Sequence, residues 1–313
     1  MLYTFGSRSG RLTLFVMPDS ALYVLVLVAA VAHASWNAMV KNSGDRLLTL
    51  TSIRVVGLLA GLVVAPLVPL PSVESIPFLI AAALVHYLYY ALMLNAYRVG
   101  DMSQVYPIAR GIAPVLVALL AAFFAGEVLG PLSALAVFVL SAGIVLLALS
   151  GHTFNRKAVL FALLTGVAIA GYSFLSGLGI RKSQSLLGYI AWLEIATGVG
   201  MVSVAYVRRK SVLVEFVRTQ WRSGLIAGLL SVTGYAIALW AMAVLAMAPV
   251  VALRETSVVF AAIIGSVFLR EGFAGRRLAA AATVVAGIVL LSVGTNGHNE
   301  TINTQPAARL FSR

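Results

Sequence analysis

Ionisable side chains interrupt the apolar stretches of this sequence at only a few positions. Five lie well inside such stretches: Arg54, Arg110, Glu194, Arg254 and Glu255. If the stretches cross a membrane, a charge at the centre of a helix costs at least about 2.5 to 3.5 kcal/mol, so each must face a cavity or a partner. These residues are therefore the leading functional candidates. The alternative is that the arginines extend to the nearer headgroups and the rest form structural pairs.

The first layer of candidates is basic. At about 1.5 Å of rise per residue, Arg54 and Arg110 each lie about two turns beyond the connector that precedes them, and His33 reaches a similar level from the other direction. Asn37 lies nearer that connector side, and no acid occupies the layer. Because a planar guanidinium suits carboxylate or phosphate oxygens, we expect Arg54 and Arg110, with His33 and Asn37, to bind the acidic group of a substrate.

The second layer contains both signs of charge. Glu194 lies about two turns in from the opposite face, and so do Arg254 and Glu255, which are adjacent in the sequence. The sequence predicts an outer Glu194–Arg254 ion pair that breaks when that face opens. Glu194, Glu255 and His86 are candidate proton carriers, His86 because imidazole changes charge near neutral pH; a hydrogen-bonded structural role for His86 is the alternative.

Aromatic residues on the same stretches could line a cavity. Tyr90 and Tyr235 occupy equivalent predicted spans, and we expect them to contact the substrate. Rings packed between helices or anchored at a membrane interface are the alternative.

Enzyme motifs are missing from the sequence. It has no cysteine, no His-Glu-x-x-His, no Gly-x-Ser-x-Gly and no paired aspartates. Neither a zinc site nor an activated nucleophile is therefore visible. We expect no enzyme, no metal site and no cofactor.

The composition indicates whether water or lipid surrounds the helices that carry these residues. Of 313 residues, 61% are hydrophobic and 10% are charged, which is too apolar for a water-soluble globule. The formal net charge is +12, but Lys and Arg lie in short connectors rather than on one basic face. This favours contact with anionic lipid over nucleic acid.

Apolar stretches of about twenty residues, long enough to cross about 30 Å of hydrocarbon as helix, predict an all-α integral membrane protein. We expect residues 1–19 to form an N-terminal extension and residues 295–313 to form a polar, disordered tail. The first five spans fall in residues 20–150 and the second five in residues 157–294. The ten predicted spans are 20–40, 47–69, 77–97, 103–125, 131–150, 157–180, 186–207, 223–246, 248–269 and 275–294.

Basic residues are distributed unevenly between the two sides. Connectors after the odd-numbered spans hold thirteen Lys and Arg, whereas the opposite side, termini included, holds six. By the positive-inside rule the first group faces the cytoplasm and both termini lie outside.

The two halves are also copies of one another. Residues 105–149 align with 249–293 at a spacing of 144 positions. Equivalent connectors carry opposite charge bias, so the sequence predicts two inverted five-helix repeats, the pattern of transporters with a substrate path between related bundles. Equivalent pairs include Arg110 with Arg254, Phe124 with Phe268, Glu127 with Glu271, and the run Ala142-Gly143-Ile144-Val145-Leu146-Leu147 with Ala286-Gly287-Ile288-Val289-Leu290-Leu291.

These features resemble the drug/metabolite transporter superfamily, specifically its ten-span EamA-type members. The resemblance rests on the acidic turns at Gly126-Glu127 and Arg270-Glu271, on Pro107 and Pro249, on the repeated closing helix, and on the run His33-Ala34-Ser35-Trp36-Asn37. The sequence departs from the family pattern in its second copy, which lacks the glycine before Glu271.

The resemblance implies a secondary transporter of a small metabolite, often an amino acid or related polar compound and often moved outward. With the embedded arginines, we expect an exporter of a substrate carrying a carboxylate or other acidic group, by alternating access in the bacterial inner membrane, with the proton as the candidate coupling ion. A multidrug exporter of cationic amphiphiles and a channel are the alternatives. Substrate identity, energy coupling and oligomeric state stay open.

The N-terminus offers two further alternatives. Arg8 and Arg11 precede an apolar run that ends in Ala32-His33-Ala34, which resembles a signal peptide. Its removal would break the duplication, so we assign the run to span 1. Met17 is an alternative start of the chain.

Overall fold

The fold is built entirely from helices in the part of the chain that the structure describes. The structure is a computed structural model, and it describes residues 18–41, 43–100, 102–148, 155–261 and 275–296. The predicted N-terminal extension up to residue 17, the alternative start at Met17, the acidic turn at 270–271 and the tail from residue 297 lie outside these residues.

The helices follow the predicted spans closely in the first half. Two short 3-10 turns, Ala65–Leu67 and Val73–Ser75, join α2 to α3. The helices are α1 Asp19–Lys41, α2 Arg46–Val64, α3 Ile76–Val99, α4 Met102–Ala125, α5 Pro131–Ala148, α6 Arg156–Lys182, α7 Leu186–Val244, α8 Met247–Glu255 and α9 Gly275–Asn296.

Several helices begin at a polar residue that satisfies free backbone amides. The Asp45 side chain accepts from the N–H groups of Leu47 and Leu48 at the start of α2. Asn155 does the same at α6, and Ser185 accepts from Gly188 at α7. Such caps are worth about 1 kcal/mol each, and they fix where a helix begins.

Helix α7 differs from the prediction because the connector between its two predicted spans is helical. The backbone leaves helical values at Arg209 and Gln220. The segment between predicted spans, residues 208–222, has no Gly or Pro that would end a helix. The helix therefore consists of a first limb, Leu186–Lys210, and a second limb, Val212–Val244, each long and apolar enough to cross a membrane.

Eight helical segments of the described chain have the length and hydropathy of membrane spans. They are α1 to α6 and the two limbs of α7. The apolar part of the last helix, Leu278–Gly294, is shorter, and the ninth predicted span is described only as far as residue 261. Large apolar side chains such as Phe123 and Val207 are exposed on the outside of the bundle, as expected of helices that face lipid. The protein is a multi-pass integral membrane protein.

Helices that the duplication makes equivalent pack closely against each other through glycines. A Cβ on Gly143 of α5 would lie 3.1 Å from the backbone nitrogen of Val284, and one on Gly287 of α9 would lie 3.0 Å from that of Leu140. Ser133, near the start of α5, lies next to Gly294, near the end of α9. The two helices therefore run antiparallel.

The same geometry holds for α2 and the first limb of α7. Gly61 faces Ala191, and Gly198 faces Leu58 of α2, so these two helices are also antiparallel. Small residues let the backbones approach without the hydrophobic force that drives packing in water. This packing places the middle of α2, with Arg54, against the middle of the first limb of α7.

Candidate functional site

A small cavity lies at the centre of the bundle and collects most of the candidate residues. Its volume is about 50 Å³, which is room for a few water molecules and not for a metabolite. The lining comes from α1, α2, α3, α4, α6, α8 and the second limb of α7. Its charged and histidine side chains are Arg54, Arg110, Arg254, His33 and His86.

Arg54 reaches the cavity from α2 and is held by two partners on α7. Its Nη1 donates to Glu194 Oε2 at 3.2 Å, and its Nη2 donates to Ser231 Oγ at 2.5 Å. Gly57 lies one turn further along α2, where a Cβ would clash with the Glu194 carboxylate. The absence of a side chain at Gly57 therefore leaves the room in which Glu194 meets Arg54.

The second ionic group is a triad in which one acid serves two arginines. Arg110 Nη1 on α4 donates to both carboxylate oxygens of Glu255, at 3.0 and 2.8 Å. Arg254 Nη2 donates to Glu255 Oε1 at 3.2 Å and to the Tyr172 hydroxyl at 3.1 Å. Glu255 is fully buried and Arg110 is 2% exposed. Separating such buried charges from their partners costs several kcal/mol.

Arg254 keeps unused hydrogen-bonding capacity in this group. Its Nε is buried with no hydrogen-bond partner in the described part of the chain. The buried charged residues described are three arginines and two glutamates, and all three arginines line the cavity, whereas neither glutamate does. The cavity wall is therefore cationic, and the five buried charged residues together carry one positive charge in excess.

The predicted division of these charges into two layers is wrong. Glu194 pairs with Arg54 rather than with Arg254, and Arg110 has an acid, Glu255. Two turns of helix rise about 11 Å, so layers two turns in from opposite faces of a core about 30 Å thick are only about 8 Å apart in height. The side chains of an arginine and a glutamate together span that distance.

Aromatic rings form the other wall of the cavity. The His86 ring stacks on Tyr172 with centroids 3.8 Å apart, and Tyr235 and Tyr90 lie at 5.8 and 6.2 Å from it. His86 Nδ1 lies 3.0 Å from the Ala82 carbonyl oxygen. A carbonyl can only accept, so Nδ1 carries a proton, and in the neutral ring Nε2 is then an acceptor.

Tyr235 belongs to the aromatic wall and also contacts one of the charged residues. Its hydroxyl lies 3.2 Å from Ser176 Oγ, and the Arg254 guanidinium lies over its ring at 5.6 Å from the centroid. Arg110 lies in the same way over Tyr106, at 5.2 Å. The guanidinium groups are thus held between carboxylates and ring faces, which fixes their position without further ion pairs.

The run His33 to Asn37 is only partly in the site. His33 lines the cavity and meets the Trp36 ring edge-on at 4.8 Å. The ring nitrogens His33 Nε2 and Trp36 Nε1 are buried without a hydrogen-bond partner among the described residues. Asn37 does not line the cavity; its side-chain amide donates to the His33 carbonyl at 2.8 Å.

Three residues of the site carried no specific signal in the sequence. Ser231 and Tyr172 are an ordinary serine and tyrosine within apolar helices, and Tyr89, whose hydroxyl lies 3.5 Å from Arg110 Nη2, is one of several tyrosines on α3. Each of them contacts an arginine and lines the cavity. Such a contact depends on helix packing and cannot be read along one helix.

Comparison with known proteins identifies the second half of the chain. Residues 156–293 match the EamA-like transporter family. The chain thus contains an EamA-like transporter domain, consistent with the drug/metabolite transporter superfamily, and the resemblance noted in the sequence is confirmed. A solved structure described as the crystal structure of a protein has a TM-score of 0.69 at 18% identity, covering 88% of this chain and 96% of that chain; this shows a shared fold. None of the curated proteins matches the chain.

Proposed function

We propose that this chain, which contains an EamA-like transporter domain, is a secondary transporter of a small metabolite carrying a carboxylate or other acidic group. Transport is by alternating access in the bacterial inner membrane, in the outward direction. The observation that carries the proposal is the triad of Arg110, Glu255 and Arg254, in which two buried guanidinium groups share one carboxylate at a cationic cavity.

A substrate anion completes what the triad lacks. The unpartnered Arg254 Nε can donate to it, and a carboxylate or phosphate matches the fork of a guanidinium in bidentate geometry. Binding of one negative charge brings the three arginines and two glutamates to neutrality. The structure leads us to add Arg254 to the predicted substrate-binding residues Arg54, Arg110 and His33.

The size of the cavity argues that binding and helix movement are coupled. At about 50 Å³ it cannot hold a metabolite, so the helices around it must separate on one side to admit one. When the helices separate, the acidic group of the substrate either replaces Glu255 or Glu194 beside the arginines or binds next to them. Either glutamate, or His86, is then placed to take up a proton as the substrate leaves.

Two inverted repeats supply the movement in this proposal. The antiparallel packing of α2 on the first limb of α7, and of α5 on α9, supports it, because inverted copies related by an axis in the membrane plane run in opposite directions. The contacts of α5 and α9 are also self-complementary. Gly143 meets Val284, and their counterparts 144 positions away, Gly287 and Leu140, meet each other.

A multidrug exporter of cationic amphiphiles is the second candidate. The rings of Tyr90, Tyr172, Tyr235 and His86 favour it, since aromatic walls bind flat cations. The excess positive charge of the cavity opposes it. The two candidates differ in the sign of the substrate charge.

Uptake by inside-out vesicles tests this choice. The panel contains amino acids, other carboxylates, phosphorylated metabolites, phosphonates and cationic dyes, each with and without a pH gradient. We expect accumulation of at least one acidic compound, competed by other anions and not by the dyes. Accumulation of the dyes alone would reject the acidic substrate and favour the second candidate.

A further inference from the structure

The end of the bundle opposite Asp45 is closed by a separate ionic cluster, away from the central cavity. Arg181 is the next-to-last residue of α6, and its Nη1 pairs with Glu127 Oε1 in the turn after α4. Arg181 Nε donates to the Met242 carbonyl and its Nη2 to the Leu245 carbonyl, each at 2.8 Å. All three of its nitrogen atoms are therefore used.

Glu127 is equally occupied, since its second carboxylate oxygen accepts from the Met247 backbone N–H at 3.0 Å. Its position follows from the preceding glycine. Gly126 has a φ of +67°, a left-handed conformation that commonly ends a helix and that glycine adopts without the steric cost of a Cβ. The Glu127 N–H then bonds the Ala121 carbonyl at 3.0 Å, which turns the chain back over the end of α4.

The cluster joins the two halves of the duplication. Glu127 belongs to the first half, whereas Arg181 and the loop between α7 and α8 belong to the second. At the same end, the loop between α2 and α3 is bonded to the turn between α6 and α7. Ser72 N–H donates to the Ser183 carbonyl at 2.8 Å, and Ser185 Oγ donates to the Pro69 carbonyl at 2.7 Å.

The opposite end of the bundle contains two cavities. A cavity of about 660 Å³ lies between the start of α2, the end of α3 and the bend of α7, with Asp45, Arg98 and Arg209 in its wall. A second, of about 340 Å³, adjoins it beside Ala227. In the described residues, both ends of the bundle have hydrogen bonds between the halves. At the end with the cavities, Arg209 Nε donates to Asp45 Oδ2 at 3.1 Å and Asn155 Nδ2 donates to the Val99 carbonyl at 2.7 Å. The two ends differ because this one also has wide cavities.

We propose that Glu127 and Arg181 form the gate of the end facing away from the cytoplasm, so that their separation is the step that opens the path to that side. The inference rests on the proposed transport function and adds to it the residues that control one of its two openings. Glu127 and Arg181 act by positioning the halves and do not touch the substrate.

Partial exposure suits this role. The Arg181 and Glu127 side chains are 27% and 17% exposed, whereas Arg110 and Glu255 of the triad are 2% and 0% exposed. A partly hydrated pair is weak enough to separate and re-form during a transport cycle, because water replaces the lost partners. The triad, by contrast, needs an incoming anion to replace what is lost.

Thiol labelling tests the gate without any substrate, because the chain has no cysteine. A reporter cysteine replaces Ser176, which is buried on α6 beside Tyr235 and five residues before Arg181, or about 7.5 Å below it. A second reporter replaces Ala227, which lines the smaller cavity at the other end. A charged, membrane-impermeant maleimide is added to each sealed side in turn, and labelling of Val128→Cys, in an exposed turn next to Glu127, identifies the gate side.

We expect Glu127→Gln to raise the labelling rate of the Ser176→Cys reporter from the gate side by about 5- to 30-fold, the effect of losing one charge-assisted contact. The Ala227→Cys reporter should lose accessibility from the other side, because the two openings alternate. Glu74→Gln is the matched control, since Glu74 is exposed at the same end, in the loop between α2 and α3, and it should change neither rate.

Arg181→Lys is the second variant, in case Glu127→Gln disturbs folding. Lysine keeps the charge but cannot reach Glu127 and two carbonyls together, so we expect a smaller rise in the same direction. Unchanged labelling in both variants, with monodisperse protein, would overturn the gate. A rise at both reporters would also overturn it, because that indicates general loosening. Neither outcome depends on which substrate is carried, so a failure of the gate and a failure of the acidic substrate are distinguishable.

Discussion

Glu255 holds two arginines in place, and this sharing is the residue-level basis of the proposed function. Its carboxylate is fully buried and contacts both Arg110 and Arg254. In a medium of low dielectric, each guanidinium is stable only while an anion lies next to it. The site is therefore closest to neutrality when a further anion is bound, which is the state that a carrier of acidic substrates must favour.

Removal of the shared acid should destabilise the fold. Glu255→Gln leaves Arg110 and Arg254 without a carboxylate, and we expect a loss of about 3 to 5 kcal/mol, the range for breaking a buried ion pair. Glu215→Gln is the control, since Glu215 is exposed on α7, and it should change the free energy of unfolding by less than about 0.5 kcal/mol. Thermal unfolding in one detergent measures both. Equal midpoints for the two variants would show that Glu255 does not hold the arginines.

Gly57 sets the room for the other buried pair. In Gly57→Ala the new methyl group meets the Glu194 carboxylate, whose Cδ would lie 3.2 Å away, and Val232 at 3.5 Å. We expect a loss of about 1 to 3 kcal/mol, as for overpacking elsewhere. Gly44→Ala has no atom within 4 Å of its Cβ and serves as the control. The same unfolding assay decides, and a Gly57→Ala protein as stable as Gly44→Ala would contradict the close approach of Glu194 to α2.

The sequence was sufficient to find the charged residues of the site but not their partners. Arg54, Arg110, Glu194, Arg254 and Glu255 are conspicuous because each interrupts an apolar stretch. Pairing depends on which helices are neighbours and on how far a side chain reaches. The depth of each residue in the membrane, counted along separate helices, assigned the arginines and their glutamate partners to different layers. In the structure these residues are in contact.

At the scale of helices, apolar length and end signals predicted most of the fold. The α1 to α6 bounds agree with the predicted spans within a few residues. The connector within α7 could not be predicted as a helix, because basic residues end an apolar stretch without ending a helix. Only Arg209 and Gln220 depart from helical geometry there.

Antiparallel packing of α5 and α9 can be tested by disulfide formation in this cysteine-free chain. A Cβ on Gly143 would lie 3.2 Å from the Thr283 Cβ, and one on Gly294 would lie 3.4 Å from the Leu132 Cβ, near the separation that a disulfide needs. We therefore expect Gly143→Cys with Thr283→Cys, and Leu132→Cys with Gly294→Cys, to cross-link under mild oxidation.

The control pair combines the same positions in the wrong register. Leu132→Cys with Thr283→Cys places the thiols about 16 Å apart along the helices, beyond the reach of a disulfide. Mobility on a gel after protease cleavage between the helices distinguishes the products. Cross-linking of the control pair in preference to the other two would mean that α5 and α9 run in parallel.

At the scale of the whole molecule, the duplication predicted which helices would be related, and the structure adds how they touch. Two pairs of helices that the duplication relates are neighbours: α2 packs on the first limb of α7, and α5 packs on α9. The central cavity lies between the halves, with Arg110 from the first and Arg254 from the second. A sequence repeat gives the correspondence of residues, but it does not give the interface, because equivalent positions carry no information on distance.

The excess of positive charge in this central cavity is the claim on which the proposed function depends. Arg110→Gln removes the excess while Arg254 and Glu255 remain paired, so the protein should fold. Arg218→Gln is the matched control, since Arg218 is exposed on α7. The measurement is concentration-dependent uptake, by inside-out vesicles, of the acidic compound that the unmodified protein accumulates.

We expect the apparent affinity of Arg110→Gln for the acidic compound to fall by about 10- to 100-fold, the effect of losing a hydrogen-bonded charge, while Arg218→Gln transports normally. Uptake by Arg110→Gln with unchanged affinity, in vesicles that contain equal amounts of folded protein, would contradict the account.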